Sequence, residues 1–182
     1  GVDQLAHHAI APVVLHQPGR EHLQLGAVEQ VVDRGWLVGD APAASRDITD
    51  LAAPKDIGKL IEERYKPLAL AIHHFPVPVI AAVNGVAAGA GANLALNCDI
   101  VLAAKSASFI QAFSKIGLIP DCGGSWLLPR LVGRANAMAL ALLGEKCSAE
   151  EAQRIGLIWQ CVDDAALMDT ALALATRLAA MP

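Results

Sequence analysis

The sequence predicts an α/β fold, and two observations carry that prediction. Two short apolar runs, at 77–83 and 99–104, have the length and composition of strands buried inside a sheet. Segments with apolar residues near helical spacing lie before, between and after these runs, so strands alternate with helices. At 182 residues, the chain is long enough for one domain with a substantial core.

Individual elements are clearest beyond the first third of the chain. Apolar residues near helical spacing predict a helix over 56–75, in which Pro67 should cause a kink. Ser148 and Glu151 have the spacing of a capping box, which predicts a short helix that ends at Gly156. The other predicted elements are a short helix ending at Leu96, strands at 107–113 and 157–162, two helical segments that meet at Gly133, and an amphipathic helix over 163–181.

The first 53 residues differ from the rest in composition and show no sustained periodicity. They contain four of the six histidines of the chain. A strand is expected near 36–38, and the segment 40–54 has the composition of a linker. We therefore predict an atypical N-terminal region, 1–53, followed by a core, 54–182.

Charge and cysteine content narrow the classes of function. A net charge of −4 gives no electrostatic basis for binding nucleic acid. The absence of any apolar run of about 18 residues predicts no membrane span. The four cysteines are widely spaced and form no CxxC pair, which argues against disulfides and zinc and favours a cytoplasmic protein. No metal site is predicted, because the adjacent His73 and His74 do not share a helix face.

A glycine-rich turn follows the first buried strand and contains Gly85, Gly89 and Gly91. Three explanations are open for these glycines. They can let a helix pack closely on a sheet, let backbone approach a dinucleotide, or expose backbone N–H groups at a helix start to an anion or a carbonyl oxygen. The dinucleotide explanation is the weakest, because Leu94 occupies the third glycine position of GxGxxG.

Asp121 is the one acidic residue in the segment 113–130. It follows the apolar pair Ile119 and Pro120 and precedes a turn that opens a helix near Gly123. One explanation is that its side chain caps this helix. The other is an acid/base role, because apolar surroundings desolvate a carboxylate, raise its pKa and make it able to exchange protons.

Two long segments resemble one known family. They read "PVIAAVNGVAAGAGANLALNCDIVLAA" and "FSKIGLIPDCGGSWLLPRLVGRANAMALALLGEKCSAEEAQRIGLIWQCVDD". Both are similar to the enoyl-CoA hydratase/isomerase, or crotonase, superfamily, and the resemblance covers roughly 54–182. It implies a crotonase-like fold, in which repeated ββα units form a spiral. Within the superfamily, the similarity points to isomerases that open the ring of 1,2-epoxyphenylacetyl-CoA in phenylacetate degradation.

The resemblance implies an oxyanion hole for the carbonyl oxygen of a thioester. The backbone N–H of Ala90, flanked by Gly89 and Gly91, would donate one hydrogen bond to that oxygen as negative charge develops on it. The substrate would be an acyl-CoA, so the CoA is part of the substrate and no separate cofactor is implied. Family members form homotrimers or dimers of trimers, so self-association is expected. The implied substrate-binding residues are Gly89, Gly91, Phe113, Leu118, Ile119, Pro120, Cys122 and Gly123.

The resemblance also bears on the reaction. Hydratases of the superfamily use two glutamates to add water, and Asn93 and Phe113 occupy those positions here. Isomerases that move a proton carry an aspartate at the position of Asp121, which would be the catalytic acid/base. An isomerase is therefore expected, because one carboxylate can remove a proton and return it elsewhere.

Two parts of the family pattern are not found. The second oxyanion donor belongs to a segment of the form (C/F)-(A/S)-(A/G)-G-x-D-L, and no such run occurs in 1–55. The further C-terminal helices of the family are also missing, so the fold is expected to be incomplete at both ends. If 1–50 supply no strands, a bare sheet edge should make the chain oligomeric or poorly soluble. The alternatives are a Δ3,Δ2-enoyl-CoA isomerase and an inactive fragment with only a structural or assembly role.

Overall fold

The computed structural model describes residues 12–15, 37–39 and 57–181. Within these residues strands and helices alternate, which confirms the predicted α/β class. The strands are β1 (Pro12–Leu15), β2 (Leu37–Gly39), β3 (Ile80–Val83), β4 (Val86–Ala88), β5 (Ile100–Ala104), β6 (Ser108–Ile110), β7 (Lys146–Ser148) and β8 (Gln160–Val162).

Five of these strands form a parallel sheet in the order β2-β1-β3-β5-β8. β3 is the central strand, and all four of its residues are buried. This burial explains why its sequence is a continuous apolar run without alternation. In its register, Val83 lies beside Leu15 on one side and Ala103 on the other.

The other three strands form a smaller sheet in the order β4-β6-β7. β4 and β6 are parallel, and β7 is antiparallel to β6. The chain alternates between the sheets, because β3 and β5 belong to the larger sheet and their successors β4 and β6 to the smaller one. The helix Ala90–Leu96 follows β3 and β4, and the helix Gly124–Leu143 follows β5 and β6, in agreement with the repeated ββα units that the resemblance implies.

The helices cover the two sheets and connect them. The last helix packs against β3 and β5 and buries Leu167, Ala171 and Leu174, which recur at the spacing of one helix face. This confirms the predicted amphipathic helix. The helices are α1 (Ile57–Leu60), α2 (Lys66–His73), α3 (Ala90–Leu96), α4 (Gly124–Leu143), α5 (Ala149–Arg154) and α6 (Leu167–Ala179).

The two predicted interruptions of helices are both present. A π-helical turn, Ile61–Tyr65, separates α1 from α2, and Pro67 lies in the first turn of α2. Proline has no N–H to donate and its ring crowds the preceding turn, so the backbone widens just before it. Gly133, with φ of 71° and ψ of 166°, breaks the helical geometry inside α4.

The glycine-rich turn differs from its prediction as a direct link between a strand and a helix. β4 lies within it and pairs with β6. Three residues rich in alanine are too short for periodicity to reveal a strand, and this one is stabilised by its neighbour in the sheet. The strand predicted at 107–113 is also shorter, because a 3-10 turn, Ala112–Ile116, follows β6.

Part of the N-terminal region belongs to the larger sheet. β1 pairs along the edge of β3, and β2 pairs with β1, close to the strand predicted at 36–38. The expected bare edge at β3 is therefore occupied, which corrects that expectation. The domain boundary at residue 53 stays a prediction. Among the described residues, no helix is both long and apolar enough to cross a lipid bilayer.

Candidate active site

The turn between β4 and α3 places the candidate oxyanion donor at the start of a helix. Ala90 is the first residue of α3 and is fully buried. Gly89 precedes it with φ of 54° and ψ of −124°, a backbone conformation that residues with side chains rarely adopt. The Gly89 N–H donates to the Ile110 carbonyl over 2.8 Å, which ties this turn to the end of β6.

Phe113 lies against the same turn. Its side chain is only 1% exposed, and its Cζ atom lies 3.6 Å from where a Cβ on Gly89 would be. The position that the resemblance equates with one hydratase glutamate therefore holds a buried aromatic ring. The ring gives the turn an apolar wall and supplies no proton-transfer group.

Asp121 lies on the turn that leads into α4. Its Oδ1 atom is buried and has no hydrogen-bond partner among the residues that the structure describes. Burial raises the pKa of this carboxyl group, while weaker interactions with the Cys122 thiol and its own backbone amide act in the opposite direction. The start of α4 is held by backbone groups, since the Gly124 N–H donates to the Asp121 carbonyl and the Trp126 and Leu127 N–H groups donate to the Gly123 carbonyl. This geometry fits the acid/base explanation better than the capping explanation.

Cys122 has a backbone conformation that is unusual for its residue type. It has φ of 46° and is the only non-glycine residue with positive φ among those described. Its buried thiol has a raised pKa, because of desolvation and the neighbouring Asp121 carboxylate, so it stays protonated at neutral pH. Cys122 also packs with Ala90 and Tyr65 in a small cluster, which brings the turn of Asp121 close to the start of α3.

Three side-chain amides, of which Asn93 and Gln111 are buried and Asn97 is half-buried, connect the two halves of the site. Gln111 Nε2 donates to Asn93 Oδ1 over 2.8 Å, and Asn93 Nδ2 donates to the Asp121 carbonyl over 2.9 Å. Asn97 Nδ2 donates to the carbonyls of Asn93 and Cys122, each over 2.7 Å. These bonds fasten the turn of Asp121 to α3, the helix that begins at Ala90.

The other predicted substrate-binding residues lie around the same two turns. Gly91 is buried in the first turn of α3, and Leu118 and Pro120 are half-buried before Asp121. Ile119 is 79% exposed in the chain by itself, and Gly123 is exposed at the start of α4. The roles assigned to these residues stay predictions.

Four residues near the site were not predicted from the sequence. Asn97 lies one helical turn after Asn93 in an apolar segment, and this spacing of two amides was a usable signal. Gln111 is likewise a polar residue between apolar neighbours. Gly124 is required because a Cβ there would lie 2.2 Å from Asn93 Nδ2. Tyr65 carried no local signal, since its position depends on how the helices pack.

Two predictions concern groups outside this geometry. The region 1–55, in which the sequence shows no run of the second-donor pattern, lies largely outside the described residues, and only two short strands of it are described. Across 57–181, no group of three or more histidine, cysteine, aspartate or glutamate side chains is arranged to hold a metal ion.

Comparisons with known proteins agree on one family. Residues 17–182 match the Enoyl-CoA hydratase/isomerase family. The chain is 56% identical over 149 residues to the 1,2-epoxyphenylacetyl-CoA isomerase of Escherichia coli strain K12, covering 82% of this chain and 56% of that protein. It is 34% identical over 176 residues to the 2,3-dehydroadipyl-CoA hydratase of the same strain, covering 96% of this chain and 68% of that protein.

A solved structure shows the same fold. A monofunctional enoyl CoA isomerase from M. smegmatis aligns with a TM-score of 0.62 at 40% identity, covering 66% of this chain and 57% of that one. The chain spans just over half the length of the Escherichia coli isomerase, and its relatives include both isomerases and a hydratase. The family match nonetheless covers most of the chain, from residue 17 to its last residue. The chain therefore belongs to the enoyl-CoA hydratase/isomerase family.

Proposed function

We propose that this chain is an acyl-CoA isomerase in which Asp121 removes a proton from the substrate and returns it to another carbon. The observation that carries this proposal is the state of the Asp121 carboxyl group. Its Oδ1 is buried, with no hydrogen-bond partner in the described part of the chain, and its pKa is raised by desolvation. A carboxyl group in this state can both accept and donate a proton during one turnover.

The positions of the two hydratase glutamates support an isomerase over a hydratase. Asn93 does not take up a proton at neutral pH, and both ends of its amide are already hydrogen-bonded. Phe113 is apolar and buried. An attacking water would find no pair of carboxylates to activate it, whereas a proton transfer through one carboxylate needs no such pair.

The N–H of Ala90 supports the same step as an oxyanion donor. Removing a proton beside a thioester carbonyl places negative charge on the carbonyl oxygen. A donor fixed in advance at that oxygen lowers the barrier by about 3 kcal/mol. The Gly89 N–H, which donates to the Ile110 carbonyl over 2.8 Å, ties this part of the backbone to the end of β6.

The proposed reaction is the ring-opening isomerisation of 1,2-epoxyphenylacetyl-CoA in phenylacetate degradation. It is supported by the 56% identity to the Escherichia coli isomerase of that name. The CoA enters as part of the substrate, so the proposal includes no separate cofactor. It also places the reaction in the cytoplasm, in keeping with four cysteines that are all free thiols.

Product analysis with three thioesters tests the reaction. The purified chain is incubated with 1,2-epoxyphenylacetyl-CoA, a Δ3-enoyl-CoA and crotonyl-CoA, and products are followed by liquid chromatography and mass spectrometry. We expect an isomer of unchanged mass from the epoxide and negligible hydration of crotonyl-CoA. Isomerisation of the Δ3-enoyl-CoA alone would favour the Δ3,Δ2-enoyl-CoA isomerase, the second candidate. Addition of water at a comparable rate would contradict the assignment of Asn93 and Phe113.

The alternative to an enzyme is a protein that has only a structural or assembly role. Large apolar side chains lie exposed on this chain, including Leu142, Leu143 and Trp159, and such side chains favour self-association. We propose a homotrimer or a dimer of trimers as the assembly. Light scattering measures the assembly, and thermal unfolding with and without CoA measures ligand binding. A chain that assembles but neither binds CoA nor turns over substrate would support the structural role alone.

A further inference from the structure

We propose that Asn93 and Asn97 are positioning residues that hold the Asp121 carboxylate in place by hydrogen-bonding the two peptide groups that follow it, one on each side of Cys122. This inference rests on the proposed function, because it assigns Asp121 the acid/base role. Asn93 lies in α3 and Asn97 caps its C-terminal end four residues later, in helical conformation, so the two side chains project from the same side. Neither provides a proton-transfer group, so their contribution is geometric.

The orientation of the Asn93 amide follows from its partners. The Asp121 carbonyl can only accept a hydrogen bond, so the Asn93 atom 2.9 Å from it must be the Nδ2 donor. Its Oδ1 then faces Gln111, which must present Nε2 to it. One backbone carbonyl in the site thus fixes the direction of both amides, and neither can flip without losing a bond.

Asn97 holds the next peptide group of the same turn. Its Nδ2 lies 2.7 Å from the Cys122 carbonyl and 2.7 Å from the Asn93 carbonyl. Cys122 has positive φ, a conformation that is unfavourable for a residue with a side chain. Such a conformation persists only where neighbouring groups determine it, and these hydrogen bonds lie on both sides of it.

The start of α4 is shaped around Asn93. A Cβ on Gly124 would lie 2.2 Å from Asn93 Nδ2, so only glycine leaves room for this amide. Asn93 is fully buried and Gln111 is nearly so. In a buried setting these hydrogen bonds are not exchanged for bonds to water, so they restrict the turn of Asp121 more than exposed ones would.

Asn97 is the better position to substitute, because it is only half-buried and is not bonded to another side-chain amide. Removing Asn93 would instead leave the buried Gln111 amide without its partner. Asn97→Ala removes both bonds, and Asn97→Leu does so while keeping most of the side-chain volume. Asn136→Ala is the matched control, since its Nδ2 also donates to a carbonyl four residues earlier, that of Val132, away from Asp121. Thermal unfolding checks that each variant is folded.

Two readouts separate positioning from general stability. The first is the pKa of Asp121, measured by NMR titration of the carboxyl carbon without substrate. Both Asn97 variants should lower this pKa toward its ordinary value, because a loosened turn admits water to Oδ1, and Asn136→Ala should leave it unchanged. The second is steady-state turnover, in which kcat should fall about 10- to 100-fold with KM within about 3-fold of that of the unaltered chain.

The outcomes for the inference and for the proposed function are distinguishable. If the unaltered chain shows no turnover, the proposed function fails and the NMR titration alone decides the positioning role. If turnover is present but the Asn97 variants match Asn136→Ala in both pKa and kcat, the positioning role is overturned while the function stands. A rise in KM with kcat unchanged would also overturn it, because that change reports lost substrate binding.

Discussion

Two helix starts in this chain follow a polar side chain in the sequence, and the structure uses the two side chains differently. At α5, the Ser148 hydroxyl accepts a hydrogen bond from the Glu151 N–H over 3.2 Å. At α4, Asp121 precedes the helix by three residues, and the N-cap residue is Gly123, which has no side chain. Its backbone carbonyl instead accepts from the Gly124 N–H over 2.7 Å, and its carboxylate Oδ1 is buried.

The side chain at the start of α5 stabilises the helix, whereas the side chain before α4 is left available for reaction. α5 has Glu150 and Glu151 in its first turn, which interact favourably with the helix dipole, and the side-chain cap satisfies one free N–H. The first turn of α4 has no acidic residue. A carboxylate used as a cap would have its pKa lowered, whereas that of Asp121 is raised.

The largest expected effect is on turnover when Asp121 loses its charge. Asp121→Asn should reduce kcat about 10²- to 10⁴-fold, because the variant cannot exchange a proton with the substrate. Steady-state rates with 1,2-epoxyphenylacetyl-CoA measure this, and Ser148→Ala, at the other helix start, should keep its rate. If Asp121→Asn retained more than about a tenth of the rate, the acid/base role would be wrong.

The next largest effect is on stability, when the first residue of α4 or of α5 is changed. Gly124→Ala places a methyl group against the Asn93 amide and should lower the free energy of unfolding by about 2 kcal/mol. The reverse change at the same helix position, Ala149→Gly, should cost about 1 kcal/mol, mainly through backbone entropy. Urea denaturation measures both. Equal stability of Gly124→Ala and the unaltered chain would show that Asn93 can move away without cost.

The sequence predicted the parts of this fold that depend on local pattern. The apolar runs identified β3 and β5, and the spacing of Ser148 and Glu151 predicted the cap of α5 that the structure shows. β1 was not predicted, because its four residues carry no pattern of their own and are held by pairing with β3. Local pattern therefore predicts elements better than it predicts sheet neighbours.

In the candidate site too, local pattern predicts single residues better than it predicts the contacts between them. Asp121 could be singled out as the acid in an apolar segment, but the residues alone favoured a helix cap, and only the resemblance to the family favoured proton transfer. The contact of Asn97 with Cys122 joins residues 25 positions apart. No spacing within one helix predicts such a contact, because it depends on how α3 packs against the turn before α4.

A smaller effect is expected from removing the cap itself. Ser148→Ala should lower the free energy of unfolding by about 1 kcal/mol, because the Glu151 N–H loses its acceptor. Guanidinium denaturation at neutral pH measures this, and Ser148→Asp should restore most of the loss since aspartate is an equally good cap. A full loss in Ser148→Asp as well would indicate that the hydroxyl acts through something other than capping.

The smallest effect is a pH dependence that only one of the two helix starts should show. Because the folded pKa of Asp121 is raised above its ordinary value of 3.8, its contribution to stability is fully present below that value and is lost as the pH rises through the folded pKa. Asp121→Asn, which stays neutral, should therefore match the unaltered chain in acid and become the more stable of the two as the pH rises from about 4 to about 7. Urea denaturation across this range measures the difference, and the corresponding difference for Ser148→Ala should stay constant because a hydroxyl does not titrate there. An Asp121→Asn curve parallel to that of the unaltered chain would mean that the carboxylate is as well solvated in the folded chain as in the unfolded one, and the main support for its acid/base role would be lost.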